Sequence, residues 1–138
     1  MDNKVVLGIV TIGNEILLVK RKPGEGALLW QFPGGSIEDD ESVEEAVVRE
    51  LKEETGVDVK VLEIIGERVH PYTKKHMTYI ACEYVGGELK VNDDDLEKAE
   101  WAKISELRSY FTTPLYERVG EYLQNYLIYN PESKRSCV

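Results

Sequence analysis

The segment from Gly35 to Val57, GSIEDDESVEEAVVRELKEETGV, constrains this chain more than any other. It runs Gly35, five residues, Glu41, seven residues, then Arg49-Glu50-Leu51-Lys52-Glu53-Glu54-Thr55-Gly56-Val57. Two glycines after Pro33 predict a tight, flexible turn. Such backbone can approach a phosphate or offer a carbonyl to a metal. A helix is predicted to start near Glu41 or Ser42, where acidic residues suit its positive end. Gly56 is placed to end it. Val43, Ala46, Val47 and Leu51 recur at helical spacing and predict a core-facing stripe.

Projecting the carboxylates at about 100° per residue puts Glu50 and Glu54 in line with Val43 and Val47, and Glu53 about 60° away from Glu50. The face that is apolar in the first half of the helix therefore turns acidic in the second. A solvated charge face would lie opposite the apolar stripe, as Glu44 and Glu45 do. Carboxylates on the inward side are costly unless paired, and like charges four residues apart repel. A hard cation with oxygen ligands relieves both problems, and Mg²⁺ or Mn²⁺ fits. An acidic helix that serves only solubility is the bland alternative.

The spacing resembles the box that defines the Nudix hydrolase superfamily, the MutT-like proteins, with every fixed position filled. Seven of those positions demand Gly, Glu or Arg. At roughly 6% for each, chance gives a match on the order of one in 10⁸ per starting position, somewhat more often in an acidic chain. The resemblance implies an α/β fold, an α/β/α sandwich around a central mixed sheet. It implies a metal-dependent enzyme that cleaves diphosphate bonds in nucleotides. Glu50, Glu53 and Glu54 would hold Mg²⁺ or Mn²⁺, with the Gly35 carbonyl as a further ligand. Glu50 would take a proton from the attacking water, Arg49 would orient it, and Glu41 would support Arg49 or the loop. Arg49, Glu50, Glu53 and Glu54 are thus the expected catalytic residues.

The 138-residue length suits one domain with a real core. We expect that domain over residues 1–130, with 131–138 a flexible tail. The net charge of −9 argues against a nucleic-acid polymer as partner, which needs a basic surface. A small nucleotide remains compatible, because a metal would neutralise its phosphates. No apolar run approaches the ~20 residues of a membrane helix, and no secretory signal is visible, so a cytoplasmic protein is expected. Cys82 and Cys137 make no disulfide or zinc framework. Cys82 reads as a buried small hydrophobe, and Cys137 as an exposed thiol. Assembly is open, with a homodimer among the alternatives.

Strands are expected at Val5–Ile12, Glu15–Arg21, Leu28–Phe32, Val57–Val69 with a bulge at Gly66, His76–Val85, Glu88–Val91 as a short edge, and Lys98–Ala102. Lys22–Ala27, His70–Lys75 and Asn92–Leu96 read as loops. Ile104–Tyr110 reads as a short helical piece and Pro114–Tyr129 as a second long helix. A sheet with a helix on each side fits this order.

Outside the box, Trp30-Gln31-Phe32-Pro33-Gly34-Gly35 resembles the lead-in of the triphosphate-cleaving branch of the family. Trp30 and Phe32 are candidates either to hold a base or to fill the core. Arg21, at a strand end beside the expected cleft, is a candidate substrate contact, with a solvated arginine as the alternative. The stretch from Glu67 to His76 is locally basic, and Arg68 is favoured over His70 and His76 for the phosphates. Of the acidic loop Asp93-Asp94-Asp95-Leu96-Glu97, Asp95 suits the family's further metal-reaching acid slightly better than Glu97. A calcium loop of the EF-hand kind is excluded, since Lys98 holds the place of its required glycine. No Ser/His/Asp arrangement suggests a covalent nucleophile, so direct attack by water is expected.

The expected substrate is a nucleoside triphosphate, including an oxidised one of the 8-oxo-dGTP kind, cleaved to monophosphate and pyrophosphate. ADP-ribose or a dinucleoside polyphosphate is the alternative within the family. A non-catalytic nucleotide-binding regulatory module is the alternative from another class, though such modules usually lose an Arg or Glu that this chain keeps. A plain acidic ion binder would leave Arg49, Gly35 and Gly56 unexplained.

Overall fold

The computed structural model describes residues 4–23 and 29–129. The expected tail at 131–138, with Cys137, and most of the Lys22–Ala27 loop lie outside the described residues. The strands are β1 (Lys4–Ile12), β2 (Glu15–Arg21), β3 (Trp30–Gln31), β4 (Gly34–Ser36), β5 (Asp58–Val69), β6 (His76–Gly86) and β7 (Leu96–Lys103). Helix α1 spans Val43–Thr55, a 3₁₀ helix spans Ile104–Ser109, and α2 spans Glu117–Tyr129.

The strands form one mixed sheet in the order β3-β2-β1-β6-β5, with β4 added to β1 and β7 to β2. β1 runs parallel to β6, and the other pairings are antiparallel. β1 is buried from Val5 to Thr11, which accounts for its near-continuous apolar sequence. Its alternate residues feed two cores. Val6 and Val10 pack with Val47 and Leu51 of α1, while Leu7 and Ile9 pack with Val119 and Leu123 of α2. The expected sandwich is therefore present, with a helix on each face.

Three expectations need correction. Gly34–Gly35 is not a flexible turn but part of β4, paired to β1 through Leu7↔Gly34 and Val6↔Gly35. A side chain on Gly34 would run into the Val6 carbonyl, so only glycine permits this approach. Glu88–Val91 is not a strand. Its backbone instead serves the end of α1, with Lys90 N–H donating to Thr55 O at 2.9 Å and Asn92 N–H to Glu54 O at 3.0 Å. These bonds satisfy carbonyls that a helix terminus leaves unpaired. Helix α2 begins at Glu117, three residues after Pro114. The bulge at Gly66 is found, as a register shift in β5 between Ile64 and Gly66.

Candidate active site

Helix α1 is held at both ends by its own sequence. Ser42 Oγ accepts from Glu45 N–H at 3.0 Å, and Glu45 Oε1 accepts from Ser42 N–H at 2.9 Å. Glu45, expected as a solvated charge, thus completes a capping box. Gly56 closes the helix with φ of 77°, a left-handed turn that favours glycine. Both ends being fixed, the rotation of the acidic turn is fixed as well.

Arg49 organises the charges. Its Nε and Nη2 donate to the two oxygens of Glu41 at 2.6 and 2.8 Å, a bidentate pair. Nη2 also donates to Ser36 O at 3.0 Å, tying α1 to β4. Nη1 is shared by Glu50 and Glu53, each at 2.9 Å. The Arg49 hydrogen bonds, helped by the Glu38 N–H, hold the Glu41 carboxyl down at about 2. Glu41 in turn keeps the Arg49 guanidinium more firmly protonated than usual.

Glu54 differs from its neighbours. It is only 3% exposed and accepts from Gly34 N–H at 3.1 Å, with Arg21 Nη2 at 4.0 Å. Burial pushes its carboxyl up to about 7, against the pull of Gly34 and Arg21, with Asp93 and Glu50 pushing the same way as burial. Burial also raises Glu50, with Arg49 opposing. The Glu50 carboxylate lies directly on Gly35, where any side chain would collide with it.

The expected convergence of three carboxylates is found only in part. Glu50 and Glu54 face inward and flank β4, but the Glu53 side chain is 58% exposed and turned to Arg49. No group of three or more His, Cys, Asp or Glu among the described residues is drawn together closely enough to grip a metal. Two of the three expected ligands, Glu50 and Glu53, are held on Arg49 Nη1. The donor chemistry still suits a hard divalent ion. Glu50, Glu53, Glu54 and the Gly35 carbonyl supply only oxygens, and buried Glu54 is a carboxyl short of positive charge. Asp95 is engaged through its backbone, giving its N–H to Asp93 Oδ1 at 2.8 Å and accepting from Lys22 N–H at 3.0 Å. In this loop the charge of Asp93 also acts on Glu54. Glu97 is paired with Lys20 at 3.3 Å.

On the α2 face lies a pocket of about 100 Å³ that opens to solvent. That is below the roughly 300–1,000 Å³ of whole small-molecule sites, and suits one part of a ligand rather than all of it. Trp30, Phe32 and Arg68, from distant parts of the sequence, meet there with Phe111 and Tyr116. Phe32 is 5% exposed and edge-on to Phe111 at 5.1 Å, so it fills the core and walls the pocket at once. Trp30 is held edge-on by Tyr110 at 4.9 Å. The Arg68 guanidinium lies 4.7 Å from the Tyr116 ring centre, and its Nε donates to Tyr79 Oη at 3.2 Å. Turning the Gln31 amide so that its oxygen faces Arg21 brings that oxygen 2.7 Å from Arg21 Nε. Gln31 lines the pocket, and Arg21 faces Glu54. The pair therefore links the pocket to the acidic turn. The aromatic wall at Phe111 and Tyr116 escaped the sequence reading, because nothing local marks the segment before α2 as facing Trp30.

The NUDIX domain family model matches residues 2–126, and the chain belongs to that family. Among its relatives, the ADP-ribose pyrophosphatase of Methanocaldococcus jannaschii is 42% identical over 104 residues, covering 72% of this chain and 61% of that protein. The NAD-capped RNA hydrolase NudC of Pseudomonas aeruginosa is 39% identical over 99 residues, covering 72% of this chain and 35% of that protein. The chain thus spans about a third of the NudC relative's length and under two thirds of the other's. Among solved structures, the MutT protein from Methanosarcina mazei Go1 superposes with a TM-score of 0.67 at 25% identity, covering 93% of this chain and 94% of that one. No helix among the described residues is long and apolar enough to cross a membrane.

Proposed function

We propose that the chain hydrolyses the diphosphate bond of a nucleoside diphosphate linked to a second group, with ADP-ribose as the representative substrate. The carrying observation is the acidic turn of α1 joined to an aromatic pocket through Arg21 and Gln31. The names of the two curated relatives favour this substrate class over the triphosphate expected from the Trp30–Gly35 lead-in. The net charge of −9 speaks against gripping an RNA backbone. A capped RNA end would ask less, since the site would see chiefly its terminal dinucleotide.

In this reading the nucleoside enters the pocket between Trp30, Phe32 and Phe111, and the diphosphate lies across Arg21 towards β4. Glu50, Glu53, Glu54 and the Gly35 carbonyl would hold Mg²⁺ or Mn²⁺. A bound cation supplies Lewis acidity that offsets charge on the phosphate oxygens as the transition state forms. Glu50, raised by burial and steered by Arg49, accepts the proton of the attacking water. Arg49 would share Glu53 with a bound cation, while its bidentate hold on Glu41 keeps α1 in register with β4. Water adds to one phosphorus and the bridging P–O bond breaks, so ADP-ribose yields AMP and ribose 5-phosphate.

The test is turnover of ADP-ribose, an NAD-type dinucleotide and dGTP, each with and without Mg²⁺. The expected result is metal-dependent release of AMP, with the highest kcat/KM for ADP-ribose or the dinucleotide. A higher kcat/KM for dGTP, with pyrophosphate released, would restore the triphosphate reading. No turnover with any metal would favour a binding module.

A further inference from the structure

His70 ends the β5–β6 edge of the pocket, in the segment expected as a loop and ranked below Arg68 for the phosphates. It holds the turn. His70 N–H donates to Lys75 O at 2.8 Å, and Lys74 N–H donates to His70 O at 3.0 Å. The imidazole adds two more bonds, since Tyr72 N–H and Thr73 N–H both donate to Nδ1, each at 3.2 Å. Two N–H groups aimed at one ring nitrogen require a lone pair there. The neutral ring must then carry its proton on Nε2. Burial, followed by the charge of Arg68, lowers the pKa of the ring and keeps it in this neutral form.

The turn thereby leaves Nε2–H as a donor of fixed identity. It has no protein partner among the described residues, although the residue is only 6% exposed. No buried side-chain nitrogen or oxygen in the described structure lacks a partner, so Nε2 must still touch solvent. His70 lines the aromatic pocket beside Arg68, Thr73 and Tyr116, and also a second cavity with Pro71, Tyr72 and Glu117 that shares Arg68 and Tyr116 with it. Arg68 can only donate, and Gln31, with its oxygen turned to Arg21, presents its NH₂ group. The wall also carries the hydroxyls of Thr73, Thr112 and Thr113, set among aromatic rings.

We infer that His70 is a recognition residue whose Nε2–H donates to a hydrogen-bond acceptor, a ring nitrogen or carbonyl oxygen, on the base of a nucleotide seated in the aromatic pocket. This inference rests on the nucleotide reading above. A donor locked in one tautomer discriminates where a rotating hydroxyl does not. A ligand edge presenting its own donor there would leave both groups unpaired, which is costly in a desolvated pocket.

The variant His70→Asn separates the two roles of the ring. The asparagine oxygen can still accept from the N–H groups of the turn, but nothing replaces Nε2–H. Full-length protein is titrated with AMP by calorimetry and assayed on ADP-ribose. The expected result is a weakening of AMP binding, and a rise in KM, by about 10-fold, with kcat within about threefold and Tm close to wild type. Wild-type AMP affinity in His70→Asn would overturn the inference. The wild-type protein gives a second reading that needs no variant: saturating AMP should shift the His70 Nε2–H proton resonance and slow its exchange with water. An unchanged resonance at saturation would overturn the inference even if His70→Asn failed to fold. If wild-type protein bound AMP but cleaved no nucleotide, the hydrolase reading would fail while the His70 test still stood.

Discussion

The two halves of the candidate site are built in opposite ways. The acidic turn is contiguous in sequence, and its geometry comes from one helix, its two caps and one arginine. Charge dominates it: Glu38, Glu41, Glu50 and Glu53 all lie within 4.0 Å of Arg49. The pocket is assembled from β1, β3, the ends of β5 and β6, and the segment between the 3₁₀ helix and α2. Aromatic burial dominates it, and among the described residues Arg68 is its one permanently charged wall residue. Among the described residues, Gln31 and Arg21 link the two. The contrast teaches that chemistry and recognition are separately encoded here. Substitutions on one side should move kcat, and on the other KM.

The largest effect should come from the acidic turn. Glu54→Gln or Glu53→Gln should lower turnover by at least ~10²-fold, because a neutral amide is a poor ligand for a hard cation. Glu54→Gln should fold at least as well without metal, since it removes a carboxylate buried at a cost. Thermal melts beside steady-state kinetics check both parts. Near-normal Mg²⁺-dependent turnover in either variant would move the chemistry elsewhere. Next in size, Trp30→Ala should raise KM by about 10-fold through lost aromatic contact, leaving kcat within about threefold. A kcat loss as large as that of Glu54→Gln would erase the distinction between the two halves.

Arg49→Lys should be smaller still in its effect on stability. A lysine cannot bridge Glu41 bidentately while also reaching Ser36 O and Glu50. The expected loss is about 1 kcal/mol, or ~4 °C in Tm, and an unchanged melt would show that the capping box alone orients α1. The smallest effect concerns pH. The folded pKa of Glu41 lies at about 2, below the ordinary value of 4.5. Its stabilisation is therefore present above pH 4.5 and lost as pH falls through about 2. Glu41→Gln should flatten the acid limb of the stability curve in that window, read by denaturant melts at stepped pH.

Legibility in the sequence followed the same divide. The period of Val43, Ala46, Val47 and Leu51, and Gly56 as terminator, were readable because helix geometry is local. The inward turn of Glu50 and Glu54 followed from the same projection. The outward turn of Glu53 did not, because it depends on which carboxylate Arg49 claims. β4 was missed because Gly34-Gly35 reads as a turn until β1 is known to lie against it. Glu88–Val91 reads as an edge strand from its alternation, yet the carbonyls at the end of α1 claim the N–H groups of Lys90 and the following Asn92. Trp30, Phe32 and Arg68 were each recognised singly. Their meeting with Phe111 and Tyr116 is a product of sheet order, which no local pattern encodes. His70 was passed over because its role depends on which ring nitrogen the turn occupies.

The division between chemistry and recognition can be read in a single wild-type sample by NMR. Mn²⁺ added at low stoichiometry should broaden the backbone signals of Gly35, Glu50, Glu53 and Glu54, and AMP should shift those of Trp30, Phe32, His70 and Phe111. The two sets should be distinct and meet at Arg21 and Gln31. Broadening centred away from the acidic turn, or AMP shifts confined to the α1 face, would contradict the account.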